Sequence, residues 1–424
     1  MNDTKKIELM KLIKDPSYMS FWFATSFSMT ASNMVQFLLS LYVMEKTGSA
    51  LLFASMISIT VLPRILFTPI AGVYGDRIRR LKIMKFIIFC SIICQLFFAL
   101  ISTYLGELPI FLIYVLVILL EMTEVFYQAA ESGILPEIIP KELLEEAVSL
   151  SKLDDGIVYT ATPAIGTVMY NLFGVQGGLW MTVALFFISF LFHFGIKTPH
   201  YQVEEKKEKK SFFKDFRDGF IAIREHSFLR HFIFISPLMT FFFSSVYSVV
   251  VTHLFLVALN VGETGYGIYR TITASMVIFV PLFVIPIIKK IETSKLVAGS
   301  SFFISISLFA LSVVVYYVHK IGESANQLFL ILVTVIDCLG IAVMMPTHMS
   351  VSVLLQKTIP DEFRSRIFSV NKMVVMVAIP IGNIFFGVLT DIFSPHINIA
   401  VAAIGILICS FLYRKTFSKM TKKL

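Results

Sequence analysis

Four polar side chains follow one another inside a strongly apolar stretch of the chain. Glu121, Glu124, Gln128 and Glu131 are spaced three, four and three residues apart, so a helix would place them on one face. An ionisable side chain surrounded by hydrocarbon is costly, and it usually faces partner helices or water. The spacing therefore predicts a helix face that turns towards a water-filled cavity or towards partner helices.

Other charged residues are expected at a similar depth. Arg64 reaches that depth from the same side, and Asp154 and Asp155 approach it from the other side. We expect a cluster of Arg64, Glu121, Glu124 and one of the two aspartates. Several carboxylates around one arginine cannot all be ionised cheaply, so at least one is expected to hold a proton. Two interpretations stay open: a proton carrier, or a static ion pair that joins two helices.

Further candidates lie in other apolar stretches. Asp337 is expected near mid-depth as a substrate or proton residue, and Asn33 and Gln36 are expected to face the same cavity. Cys90 and Cys94 share a helix face, but no carboxylate or histidine accompanies them, so they are expected to be packing residues. The sequence predicts no metal site and no cofactor.

The elements that position these residues are predicted to be membrane-spanning helices. Of the 424 residues, 57% are hydrophobic and 15% are charged, whereas a soluble domain has about a quarter charged residues. A spanning helix needs about 20 apolar residues, and the apolar stretches are too long for barrel strands. The predicted spans, one to twelve, are 17–43, 50–74, 82–104, 109–131, 148–171, 178–196, 231–257, 265–288, 296–318, 327–354, 366–391 and 396–414.

The positive charges predict the orientation. Lysine and arginine concentrate in alternate loops, and the opposite loops hold only Lys46 and Lys320. Basic loops remain in the cytoplasm, so both termini are predicted there, in a multi-pass protein of the plasma or inner membrane. The net charge of +8 follows from this pattern and gives no reason to expect a nucleic-acid partner. The first apolar stretch is too long for a signal-peptide core and is expected to remain as span one.

The chain is predicted to consist of two similar halves. An N-terminal six-helix bundle over 1–196 and a C-terminal bundle over 231–424 flank a cytoplasmic linker, 197–230, with an amphipathic helix. Residues 139–143 and 359–363 repeat an Ile-Pro-x-Glu pattern before spans five and eleven. The predicted fold is an all-α membrane protein with twelve transmembrane helices in two pseudo-symmetric bundles. In such duplicated folds the substrate binds near the midplane between the halves.

The loop between spans two and three carries a recognisable motif. Gly72, Asp76, Arg77 and Arg80 resemble the regularly spaced glycine, Asp-Arg pair and basic cluster of the major facilitator superfamily, with Arg79 in place of a second glycine. The chain looks most like bacterial drug exporters of the macrolide-efflux type. Four features support that likeness: the segments 47–50, 359–362 and 378–382, and the pair Pro63-Arg64 before Pro69.

The resemblance, together with the loop chemistry, implies a conformational latch. Small residues at the turn allow close helix approach, the aspartate can sit near the N-terminus of span eleven, and the arginines can bind carboxylates across the interface between the halves. The alternative is that the cations only obey topology. The expected latch residues are Gly72, Gly75, Asp76, Arg77, Arg79 and Arg80.

The predicted function is secondary active transport rather than catalysis. We expect proton-coupled export of small lipophilic compounds by alternating access, and the alternative is proton-coupled uptake of a nutrient. No Gly-rich loop with the lysine of an ATPase is present. A polytopic membrane enzyme or a sensor is the remaining class. The expected partners are a small molecule, protons and the lipid bilayer, with the protein acting as a monomer.

Overall fold

The computed structural model consists of helices joined by short turns, and the part of the chain that it describes contains no β-strand. The described residues are 10–199, 221, 223–224, 227–258, 262–288, 293–321, 326–359 and 361–421. The all-α class predicted from the sequence is confirmed. The predicted amphipathic helix in the linker, and most of 197–230, lie outside the described residues.

In the described part of the first half, seven α-helices follow a short helical stretch at 10–14, and α2 and α3 together cover span two. Helix α7 covers both spans five and six, and it is broken at Gly174, whose φ of 64° is left-handed and suits glycine. A 3-10 turn, Lys141–Leu143, precedes it. The helices are α1 Pro16–Thr47, α2 Ala50–Ile59, α3 Val61–Arg77, α4 Arg80–Leu105, α5 Ile110–Glu131, α6 Leu135–Ile138 and α7 Leu144–His193.

From Ser227 onwards the described residues form seven more α-helices, and the first span of this half is irregular. Two π-helical turns, Val246–Val250 and Leu254–Ala258, flank the short helix α9, and such turns often occur at functional sites. The helices are α8 Ser227–Ser245, α9 Val251–His253, α10 Gly262–Ile288, α11 Thr293–Ile321, α12 Asn326–Thr358, α13 Asp361–Ile392 and α14 Pro395–Thr421.

Helices lie over every predicted span. Among the described residues, nine helical stretches are long and apolar enough to cross a membrane. The stretches for spans one, five and eight are not among those nine. In α1 the reason is visible in the sequence, because Ser, Thr, Asn33 and Gln36 interrupt the apolar residues. The multi-pass helical architecture is therefore established, and the count of twelve crossings remains a prediction.

The chain divides into two compact units with a similar internal arrangement. One unit comprises Met1–Tyr42 and Ile59–Glu208, and the other comprises Val43–Ser58 and Lys209–Leu424. In the first unit α3 packs on α5, α5 on α4, and α4 on α7. In the second, α10 packs on α12, α12 on α11, and α11 on α14. Spans two, three, four and six thus pair in the same way as spans eight, nine, ten and twelve, as duplication predicts.

Buried polar side chains join equivalent helix pairs in the two units. Gln95 Nε2 on α4 donates to Thr182 Oγ1 on α7 over 2.5 Å. On the corresponding pair, Ser305 Oγ of α11 donates to the Ala403 carbonyl of α14 over 2.8 Å. Hydrogen bonds of this kind hold helices together inside a membrane. Apolar side chains do not drive helix association there, because lipid tails are equally apolar.

Candidate functional site

Helix α5 directs a buried carboxylate towards a cation on α3. The charged residues of α5 lie on the face that carries Glu121, and the Glu121 side chain has 0% exposure. Its Oε1 forms an ion pair with Nε of Arg64, whose side chain is 40% exposed. Gln36 Nε2 of α1 donates to the other carboxylate oxygen over 3.3 Å. Three helices of the first unit therefore meet at one carboxylate.

A second carboxylate lies one turn further along α5. Glu124 accepts hydrogen bonds from Ser32 Oγ over 3.0 Å and from Gln128 Nε2 over 2.8 Å. Its charge acts on both Arg64 and Glu121. We call this group the Arg64 cluster; its members are Ser32, Gln36, Arg64, Glu121, Glu124 and Gln128. Two carboxylates share one guanidinium in the cluster, which leaves one surplus negative charge when both are ionised.

The structure does not bring the two aspartates of span five to Arg64. Asp154 Oδ2 accepts a hydrogen bond from Ser26 Oγ over 2.6 Å, and Asp155 pairs with Lys152 Nζ at 2.7 Å on the exposed side of α7. The expected cluster therefore contains two carboxylates rather than three. The charges of both aspartates and of Glu124 act on Glu131, the last residue of α5. Glu131 therefore extends the acidic face of α5 towards the start of α7.

Helix α1 contributes a residue that the sequence did not single out. Ser32, rather than Asn33, contacts the Glu124 carboxylate. The Asn33 side chain is half-buried and makes no hydrogen bond among the described residues. Neighbouring residues on a helix point about 100° apart, so an error of one position moves a side chain off the face.

The second unit holds its buried acid differently. Asp337 on α12 is 2% exposed, and its two carboxylate oxygens accept from Tyr247 Oη at 2.8 Å and Tyr269 Oη at 2.6 Å. The rings continue into an aromatic layer, since Tyr269 stacks on Phe255 with centroids 4.7 Å apart. The charge of Arg270 also acts on Asp337. The two tyrosines were not predicted, because tyrosines are common in apolar spans and carry no distinctive spacing.

A cavity of about 370 Å³ lies inside the second unit. Hydroxyl groups and one amide line part of its wall, and His348 faces it from α12. Ser236 Oγ donates to Asn371 Oδ1 across the wall over 2.8 Å. The polar lining side chains are Ser236, Thr240, Ser244, Ser300, Ser301, Thr347, His348, Asn371 and Tyr413. Within the described ranges no group of three or more His, Cys, Asp or Glu could hold a metal ion.

The structure describes only part of the motif loop. The surroundings of Gly72, Gly75, Asp76 and Arg77 lie outside what it describes, and Arg79 is exposed. Arg80 Nη1 forms an ion pair with Glu137 at 2.8 Å and donates to the Gly133 carbonyl over 3.1 Å, and both partners belong to its own unit. The interface latch therefore stays a prediction, and the contacts of Arg80 join the 2–3 loop to the turn after α5.

Sequence comparison decides the family. The family model described as Major Facilitator Superfamily matches residues 21–383. The chain belongs to the major facilitator superfamily. Macrolide efflux protein A of Streptococcus pyogenes is 22% identical over 379 residues, which cover 88% of this chain and 89% of that protein. An uncharacterised MFS-type transporter of Bacillus subtilis, YkuC, is 24% identical over 235 residues, or 53% of this chain and 54% of its own.

Solved transporters of the superfamily share the fold. The nucleoside transporter NupG gives a TM-score of 0.73 at 14% identity and covers 98% of this chain and 99% of its own. A bacterial homologue of the iron transporter ferroportin, in the inward-facing state, gives a TM-score of 0.70 at 14% identity. The match covers 94% of this chain and 98% of the homologue. The predicted superfamily and fold are thereby confirmed, and this chain is a multi-pass membrane transporter of small molecules.

Proposed function

We propose that this transporter exports small lipophilic compounds across the cell membrane in exchange for protons. The observation that carries the proposal is the Arg64 cluster, in which one guanidinium serves two carboxylates. Alternating access exposes the cluster to one side of the membrane at a time, and both termini lie in the cytoplasm. The proposed boundaries of the two bundles are 1–196 and 231–424, with the linker between them.

The charge balance of the cluster supports proton binding. With both carboxylates ionised, the site carries one negative charge more than Arg64 can offset. A proton on Glu121 or Glu124 removes that surplus, which is expensive to keep among apolar helices. Release of the proton restores it, so the net charge of the site changes by one in each cycle.

The surroundings of the cluster support proton exchange with water. Gln36 and Gln128 are exposed, and each contacts one of the two carboxylates. From Glu124 the acidic face continues to Glu131, where the charges of Asp154 and Asp155 also act. A file of acids thus runs from the middle of α5 to its end on the predicted cytoplasmic side, which suits protons that leave the site inwards.

The direction of transport is proposed from the relatives. The proteins from Streptococcus pyogenes and Enterococcus faecalis that match most of this chain are named macrolide efflux proteins. Macrolides are bulky and largely apolar, in keeping with a lipophilic substrate class. The 22% identity to the Streptococcus protein is too low to transfer the substrate itself, so the proposal names only the class.

The experiment measures substrate flux into proteoliposomes under an imposed pH gradient. The protein is reconstituted with an imposed pH gradient, and a panel of macrolides and other lipophilic compounds is assayed. For the compounds transported by wild type, Glu121→Gln/Glu124→Gln is expected to reduce gradient-driven flux to the level of empty liposomes. Glu142→Gln changes an exposed carboxylate of the same unit and is the matched control, with flux expected to equal wild type.

Two results would contradict the proposal. Gradient-driven flux in the double variant at the wild-type rate would remove these carboxylates from coupling. In cells, an uncoupler is expected to raise accumulation of the substrate. A fall in accumulation would instead identify proton-coupled uptake and refute export.

A further inference from the structure

The N-terminus of α2 is capped by a carboxylate from the far end of the chain. Asp391 Oδ1 accepts a hydrogen bond from the Ala50 backbone N–H over 2.8 Å. Its Oδ2 accepts from Ser49 Oγ at 2.8 Å and from the Leu51 N–H at 3.3 Å. The first N–H groups of a helix have no partners within the helix, and the helix dipole favours an anion at this end. Asp391 therefore binds the start of α2 both by hydrogen bonds and by charge.

Close packing surrounds the cap. Gly387 lies one turn before Asp391 on α13, and a Cβ at this position would stand 2.9 Å from Ala54 Cβ and 3.0 Å from Leu51 Cα. Ala50 and Ala54 have 0% exposure and pack with Val249 of the first π turn. Small residues let two helices approach closely in a membrane. Helix α2 thus lies directly on α13, with no room for an added methyl group.

Two more contacts extend this surface. His253 Nε2 donates to the Gly48 carbonyl over 3.2 Å, immediately before α2. Deeper along the helix, Ser58 Oγ lies 3.4 Å from the Pro380 carbonyl. These contacts explain why Val43–Ser58 forms one compact unit with the second half of the chain, whereas the helix that follows carries Arg64 in the first unit.

We propose that this surface is a gate on the extracytoplasmic side, which closes when Asp391 caps α2 and opens when α2 leaves α13. The predicted topology places the start of span two and the ends of spans seven and eleven on the same, outer side of the membrane. An outward-facing cavity requires that these ends separate. Opening then breaks every contact described above, and the carboxylate cap is the most strongly interacting of them.

The arrangement mirrors the predicted latch at the other end of the same spans. Asp76, at the end of span two, is predicted to lie near the N-terminus of span eleven. Asp391, at the end of span eleven, caps the N-terminus of span two. A duplicated fold can thus place a carboxylate cap at each end of one helix pair, and opening on either side leaves only the opposite cap intact. The gate proposal does not depend on which ion drives transport or which substrate is carried.

The test measures access to the interface from outside the cell. Ser58→Cys, a nearly isosteric change, is introduced after Cys90, Cys94, Cys338 and Cys409 are replaced by serine. Labelling of the introduced thiol by a membrane-impermeant maleimide is then followed in intact cells. Asp391→Ala is expected to increase the labelling rate about fivefold, since loss of an N-cap shifts a helix equilibrium by about that factor. Gly387→Ala is expected to act in the same direction by pushing α2 away.

The matched control is Glu107→Gln, which neutralises another exposed carboxylate on the predicted outer side and is expected to leave the rate unchanged. Size-exclusion chromatography confirms that each variant is folded, and Gly387→Ala replaces Asp391→Ala if the latter is not. Equal labelling rates in folded variants and parent would overturn the gate. Labelling of the introduced thiol from the cytoplasmic side alone would overturn it as well.

Discussion

The two units bury an acid on equivalent helices, α5 and α12, but they satisfy it in opposite ways. Glu121 has a cation beside it, a second carboxylate one turn away and the exposed amide of Gln36 on its other oxygen. Asp337 has two tyrosine hydroxyls on its two oxygens and a layer of aromatic rings around them. The first arrangement continues to two exposed amides, Gln36 and Gln128, whereas Asp337 is held by the half-buried Tyr247 and the buried Tyr269.

The difference shows how one duplicated framework can hold two kinds of acidic site. A carboxylate whose charge is offset by a neighbouring cation depends on that cation, and a carboxylate satisfied by neutral donors depends on precise packing. Our proposal places coupling in the first unit, and we propose that Asp337 positions helices. The proton or substrate role that the sequence predicts for Asp337 stays a prediction. Removing Arg64 and removing a tyrosine hydroxyl at Asp337 should then differ in their effects on stability and on gradient-driven flux.

The largest effect is expected from Arg64→Met. The change leaves Glu121 buried without its cation, which costs about 3 kcal/mol of stability when such a pair is broken on one side. Thermal denaturation in detergent should show a clear loss, and gradient-driven flux should disappear.

A second change separates stability from coupling. Adding Glu121→Gln to Arg64→Met removes the unpaired charge, so the double variant is expected to recover most of the lost stability while transport stays absent. If both variants were as stable as wild type, the ion pair would not contribute to stability. The contrast between a cation-dependent acid in the first unit and a hydroxyl-bound acid in the second would then be wrong.

A smaller effect is expected from Tyr269→Phe. This substitution removes one of the two hydrogen bonds to Asp337 in a fully buried site, at a cost of about 2 kcal/mol. Tyr247→Phe should cost less, because Tyr247 is only half-buried. In liposomes, the flux that remains should still respond to the pH gradient. Loss of gradient dependence without loss of stability would place proton coupling in the second unit.

The smallest effect is expected from Asp155→Asn. Asp155 pairs with an exposed lysine three residues earlier on its helix, and such pairs contribute about 0–1 kcal/mol. Denaturation temperature and flux should both stay close to wild type. A loss of flux comparable to that of Glu121→Gln/Glu124→Gln would return this aspartate to the coupling site.

Much of the fold and part of the site could be predicted from the sequence. The lengths of the apolar stretches predicted where the helices lie. The spacing of Glu121 and Glu124 predicted that they share a helix face. A charged side chain is costly in the hydrocarbon of the bilayer, which restricts the directions in which these acids can point. The pairing of Glu121 with Arg64 followed from estimated depth.

Depth alone was insufficient elsewhere. It does not determine helix rotation. One of the two aspartates was expected at Arg64, whereas Asp154 lies beside Ser26 and Asp155 pairs with Lys152. Asp391 lies 341 residues from Ala50 in the chain, and no local periodicity marks a contact of that kind.

The π turn at Val246–Val250 has a mechanical consequence for span seven. A π turn contains more residues than an α turn, so tightening it would swing everything beyond it by about 100° relative to what precedes. Tyr247 meets Asp337 at this turn, and His253 meets the Gly48 carbonyl beyond it. The widened turn sets the angle between these two side chains, so tightening it would move His253 away from Gly48 while Tyr247 stays at Asp337.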